Sequence, residues 1–150
     1  MGVTQKVGSL GEELVAKFLM KRGFKVLDRN YRRPWGELDI IAEKKGKIHF
    51  VEVKALSGFV KKDVTHETSA PVSKREKVLN YIKFAPPKDW FRPEDHMNSQ
   101  KMKRLGRIIQ TYLNAKHVSS ETNWQFDVVA VLIDHDQRKA KINLIEDLML

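Results

Sequence analysis

The sequence predicts an α/β domain, on three observations. Apolar residues recur at helical spacing near the N-terminus, two short apolar runs flank a polar, Gly-containing turn, and a second helical pattern precedes a valine-rich run near the C-terminus. At 150 residues, the chain has the length of one domain with a substantial core, and its 41% hydrophobic and 31% charged residues are ordinary for a folded, soluble chain. A single domain over residues 1–150 is therefore expected.

Residues 1–7 read as a loose, polar terminus. From Ser9 to Arg22, Leu10, Leu14, Val15, Phe18 and Leu19 mark a helix that Gly23 ends. A turn of about 100° per residue sets Glu12 at the edge of that apolar arc and turns Glu13 toward Lys17. Phe24 to Asp28 predicts a short first strand. A basic, aromatic connection from Arg29 to Gly36 follows, in which arginines could meet phosphate and Tyr31 or Trp35 could stack on a base.

Leu38, Ile40 and Ile41, then Ile48, Phe50, Val51 and Val53, form a β-hairpin around the turn Glu43 to Gly46. Strand alternation puts Phe50, Glu52 and Lys54 on one face and Val51 and Val53 on the other. Hairpin pairing brings Asp39 near Glu52. Two carboxylates and a lysine then converge, a set that can hold a divalent cation beside a phosphoryl group. The same Val-Glu-Val-Lys pattern also fits an amphipathic strand with a solvated face.

Ala55 to Ser73 reads as a loop, Lys74 to Phe84 as a helix, and Lys88 to His96 as an irregular stretch holding Trp90 and Phe91; His66 and His96 are isolated histidines. Asn98 to Leu113 predicts a second core-facing helix through Leu105, Ile108, Ile109, Tyr112 and Leu113. Lys101 continues its inner face, and Lys103, Arg104 and Arg107 spread around the rest. Trp124 to Ile133 predicts a strand buried on both faces, and Lys141 to Ile145 an edge strand.

Lysine and arginine number 28 against 19 acidic residues, a formal charge of +9, which favours a polyanionic partner such as nucleic acid. With no cysteine, disulfide frameworks and thiolate-ligated metals are excluded. No apolar run is long enough to span a membrane and no signal-peptide core is visible, so a cytoplasmic protein without a membrane partner is expected.

Taken in order, Gly8-Ser9-Leu10-Gly11-Glu12 with Ala16, Leu19 and Gly23, then Arg29-Asn30-Tyr31-Arg32, Gly36 to Ala42, Phe50 to Lys54, the helix from Lys101, and Phe126 to Val131 resemble the YraN-like family. More distantly, they are similar to archaeal Holliday junction resolvases of the restriction-endonuclease-like, PD-(D/E)XK nuclease superfamily. The resemblance implies a restriction-endonuclease-like mixed β-sheet flanked by helices, with an insertion at about 57–96. It implies Asp39 and Glu52 as ligands of Mg²⁺ or Mn²⁺, Lys54 as the residue that positions and polarises the attacking water, and Glu12 as an accessory carboxylate. Lys101 is the choice for the family's helix lysine, with Lys74 and Lys77 as competitors. The motif's proline is absent before Asp39, where Leu38 stands.

These readings imply a metal-dependent endonuclease hydrolysing DNA phosphodiesters, with branched or structured DNA preferred and the backbone held by Arg32, Arg33, Lys101, Lys103 and Arg104. A non-catalytic nucleic-acid-binding module on the same scaffold is the alternative. A protein-interaction domain anchored by Trp90 and Phe91 is a third reading, and DNA versus RNA, metal identity and homodimer formation stay open.

Overall fold

The computed structural model describes residues 2–58 and 98–148. Helix α1 (Val3–Lys21) precedes three antiparallel strands, β1 (Lys25–Arg33), β2 (Gly36–Lys44) and β3 (Lys47–Ser57). Helix α2 (Ser99–Ala115) lies between β3 and the last two strands, β4 (Trp124–Asp134) and β5 (Lys139–Ile145). The strands form one sheet in the order β1-β2-β3-β4-β5, and the β3/β4 pair is parallel while the others are antiparallel. This is an α/β fold with a mixed sheet and a helix on each face, consistent with a restriction-endonuclease-like fold.

Alternation of side chains divides the core in two. On one face α1 contributes Val15, Phe18 and Leu19 against Ile40, Val51, Val129 and Val131. On the other, α2 sets Leu105, Ile108, Ile109 and Tyr112 against Leu38, Ile41, Phe50, Phe126 and Val128. Strand β4 is buried along almost its whole length, as its valine-rich sequence predicts, and β5 forms an edge. The Asn98 side chain starts α2 by accepting from Lys101 N at 2.9 Å.

Several boundaries differ from the sequence expectation. Helix α1 begins at Val3, taking in the segment expected to be loose, and Leu10 is 40% exposed rather than in the core. Glu13 pairs with Arg29 of β1 at 3.0 Å, not with Lys17. Strand β1 runs through Arg33, so the expected connection is strand followed by a two-residue turn at Pro34 and Trp35. An edge strand tolerates this run of charge because one side of its backbone already faces water. Strand β3 continues to Ser57, paired with Ile133, beyond the expected loop start at Ala55. The expected 74–84 helix, the rest of the 57–96 insertion and His66, Lys74, Lys77, Trp90, Phe91 and His96 lie outside the described residues.

A candidate carboxylate and lysine site where two strands part

The β2/β3 ladder ends at Ile40↔Val51, while β3 goes on pairing with β4 as far as Ser57. One edge of β3 therefore loses its backbone partner after Val51. Asp39, the next residue out on β2, replaces it: its Oδ2 accepts the Val53 N–H at 2.7 Å. A buried amide without an acceptor would be costly, so this bond fixes the Asp39 carboxylate in the fork.

A backbone irregularity aims Asp39 there. Leu38 and Ile41, three residues apart, both enter the α2 core, whereas Ile40 faces α1, so strict alternation breaks once beside Asp39. On β1 the ladder pairs Arg29 with Ile40 and Tyr31 with Leu38 but skips the intervening Asn30 and Asp39, and Asn30 is left-handed at φ 51. Asparagine tolerates that conformation better than most residues. Sequence reasoning assigns Asn30 no role, because the kink becomes visible only once the register is known.

Glu52 and Lys54 face α2 as alternation predicts, and Lys101 reaches down from α2 to meet them. Glu52 Oε1 receives Lys101 Nζ at 2.7 Å and Lys54 Nζ at 3.0 Å. The Glu52 side chain is 12% exposed. Glu12, Asp39, Glu52, Lys54, Lys101 and Arg104 line one cavity of about 560 Å³. Glu12 arrives there because α1 packs very closely on β3 at Gly11, where an added Cβ would lie 2.5 Å from Ala55 Cβ.

The electrostatics of this cavity are unbalanced at Asp39. Burial, then repulsion from Glu52, with smaller contributions from Glu12 and Glu37, raises its pKa to about 7 against the lowering effect of the Val53 hydrogen bond. Lys54 is held above the ordinary lysine value. Burial works against its charge, but the negative charge and hydrogen bond of Glu52 outweigh it, helped by Asp39. Lys54 thus stays an ammonium at neutral pH, a donor and not a base.

Asp39 and Glu52 fit a cation that takes one or two carboxylates and keeps several waters: Asp39 has a second oxygen beyond the one bound to Val53, and added positive charge would relieve the repulsion that raises its pKa. Among the described residues no group of three or more His, Asp or Glu side chains is gathered as a metal cluster.

A second cavity, of about 670 Å³, adjoins the first, sharing Gly36, Glu37 and Arg104 as lining residues, and is further lined by Arg32, Arg33, Trp35 and Arg107. Of the cations expected to hold a backbone, Arg32, Arg33, Lys101 and Arg104 border the two cavities. Lys103 is exposed and lines neither. Arg32 pairs with Glu37 at 3.1 Å. Arg107, which the sequence leaves among ordinary helix-surface charges, joins the wall with its guanidinium 5.0 Å from the centre of the Trp35 ring.

Fold and site define the class: an α/β protein whose mixed sheet opens between two strands onto a cavity of carboxylates and lysines, next to an arginine-lined groove. The chain belongs to Uncharacterised protein family UPF0102, whose profile matches residues 11–85. It is similar to a UPF0102 protein of Caldicellulosiruptor bescii, 31% identical over 95% of this chain and 96% of that protein. A UPF0102 protein of Moorella thermoacetica is 28% identical over 93% of this chain and 91% of its own length. One from Campylobacter jejuni is 43% identical over 51% of this chain and 65% of its own length. Among the described residues no helix is long and apolar enough to cross a membrane.

Proposed function

We propose that the protein is a metal-dependent endonuclease that hydrolyses phosphodiester bonds of DNA, within the PD-(D/E)XK superfamily that the sequence resembles. The observation that carries this reading is the fork between β2 and β3, where Asp39, Glu52 and Lys54 share one cavity with Lys101 of α2. Asp39 and Glu52 would hold Mg²⁺ or Mn²⁺, which when bound would neutralise charge on the phosphate and favour ionisation of the attacking water.

The chain's own groups supply the rest. Lys54, kept protonated, donates a hydrogen bond to the attacking oxygen and stabilises its negative charge, and Lys101 and Arg104 do the same for the phosphate oxygens as charge accumulates in the transition state. Attack at phosphorus breaks the bond to the leaving sugar oxygen; the attacking water loses its proton to bulk solvent and the leaving oxygen takes one from solvent. Glu12 adds negative charge that favours cation retention. The arginine groove holds the DNA backbone on the approach to the cavity.

A non-catalytic nucleic-acid-binding module is the second reading. It is favoured by one observation: Glu52 Oε1 already has two ammonium partners, so its charge is compensated without a metal. Cleavage of labelled single-strand, duplex, flap and four-way-junction DNA in Mg²⁺, Mn²⁺ or EDTA separates the two. The nuclease reading expects metal-dependent cutting that Glu52→Gln reduces at least about a hundredfold. Salt-sensitive binding with no cutting of any substrate would establish the binding module instead.

A further inference from the structure

We propose that Trp35 is a stacking platform for an unpaired base beside the carboxylate and lysine cavity, which makes DNA with unstacked nucleotides the favoured class of ligand. This rests on the nucleic-acid reading of the site but not on catalysis. Trp35 forms, with Pro34, the turn at the tip of the β1/β2 hairpin, and it keeps 36% of its surface exposed. A tryptophan at such a tip would ordinarily be mobile and poorly placed for recognition. Here it is fixed from α2: its Nε1 donates to Thr111 Oγ1 at 3.2 Å, and the Thr111 hydroxyl donates in turn to the Arg107 carbonyl at 2.8 Å. The Arg107 guanidinium lies over the ring.

The surroundings specify the ligand. Trp35 shares its cavity with Arg32, Arg33, Arg104 and Arg107, and among the described residues only Arg32 of these four is in an ion pair. The cavity's carboxylate, Glu37, is taken up by Arg32, and Arg33 lies over the Tyr31 ring, so the wall around the indole keeps a surplus of positive charge that calls for a ligand both anionic and planar. A nucleotide is that combination: the phosphate meets the arginines and the base face meets the indole.

Position points the same way. Trp35 lies four residues before Asp39 on the same chain path, roughly 13 Å at strand spacing, and the two cavities adjoin, with Gly36, Glu37 and Arg104 lining both. At about 3.4 Å per stacked base step, that distance spans no more than about four nucleotides. In an unbroken duplex every base is already stacked on its neighbours and offers no face. A fork, flap, gap or junction arm offers one.

The test is binding in EDTA, where cutting cannot intervene, using a splayed-arm DNA and a fully paired duplex of equal length, each with 2-aminopurine at the branch position. Wild type should favour the splayed DNA and change 2-aminopurine emission on binding. Trp35→Ala should weaken splayed-DNA binding about five- to tenfold while leaving duplex affinity within twofold, and Trp35→Phe should retain most of the preference. Thr111→Val, which frees the indole N–H without removing the ring, should give an intermediate loss. Equal weakening of both DNAs by Trp35→Ala would overturn the proposal, leaving Trp35 a mere support of the arginine wall; so would no change in either. Because metal-dependent cleavage is read separately, a protein that fails to cut yet shows the Trp35-dependent preference would sink the nuclease reading and leave this one standing.

Discussion

Two aspartates on the same sheet, Asp127 and Asp39, are treated in opposite ways. Asp127 on β4 is 1% exposed and accepts three hydrogen bonds: from His49 Nδ1 at 2.7 Å, Gln125 Nε2 at 2.7 Å and Asp147 N at 2.9 Å. Lys47 orients the Gln125 amide through its oxygen at 2.6 Å, and the Phe24 ring closes edge-on against His49. Both Asp127 oxygens are occupied by donors from the fold itself. Asp39 is given one donor, Val53 N, and three carboxylate neighbours, and its pKa rises to about 7. A carboxylate whose needs are met internally holds strands together; one left short is poised for a ligand that arrives later.

The largest expected difference is in cleavage. Asp39→Asn should reduce metal-dependent cutting by about a hundredfold or more without loss of thermal stability, whereas Asp127→Asn should leave the activity of folded protein within a few-fold of wild type. If Asp127→Asn proved as inactive as Asp39→Asn while fully folded, the division between the two aspartates would be wrong.

Stability should show the reverse. Asp127→Asn removes one acceptor oxygen from a buried set of three hydrogen bonds, at a cost of about 1 to 3 kcal/mol. Thermal unfolding should register this as a fall in Tm of about 3 to 10 °C.

The pH dependence sharpens the contrast further. Asp39 has a folded pKa, about 7, above its unfolded value of 3.8, so between these values the folded state binds the extra proton and stability falls as pH rises. Below about pH 4 both states are protonated and the penalty is absent; above about pH 7 it is fully in force. Allowing for the part of the carboxyl that solvent still reaches, metal-free wild type should lose on the order of 2 to 3 kcal/mol across this window. Asp39→Asn should flatten that part of the profile, an outcome read from urea midpoints in EDTA at pH 5 and pH 8. A parallel pair of profiles would mean that Asp39 ionises freely in the folded protein.

Much of this contrast is legible in the chain before any coordinates. Strand alternation suffices to put Glu52 and Lys54 on one face, and hairpin pairing to bring Asp39 close, because both depend on neighbours within about fifteen residues. Helix periodicity finds the inner face of α2 and carries Lys101 along it. What periodicity cannot give is where a ladder stops. The fork depends on β2 joining β3 only from Ile40 onward, and on the skipped Asn30 and Asp39 pair, neither of which has a signature in residue type. The Trp35, Thr111 and Arg107 assembly joins positions more than seventy apart in sequence, and the donors of Asp127 come from β3, β4 and the C-terminal segment. Arg32 and Arg33 read as loop residues because a charged run looks irregular, although on an edge strand it is compatible with pairing.

The smallest of these effects tests how the fold keeps Asp39 short of donors. Gly11 lets α1 approach β3 until an added methyl would collide with Ala55, and the neighbouring Glu12 is one of the charges that raise the Asp39 pKa. Gly11→Ala must therefore push α1 outward, at a cost of about 1 to 2 kcal/mol, and withdraw Glu12 from the cavity. Repulsion on Asp39 then weakens and its folded pKa moves down toward the ordinary carboxylate range. The pH at which metal-free stability levels off should fall with it, while the contacts of Asp127, on the far side of β3 from the fork, are untouched. A levelling pH that stays at its wild-type position in Gly11→Ala would mean that Glu12 acts on Asp39 too weakly to matter, and that burial beside Glu52 alone keeps this carboxylate unbalanced.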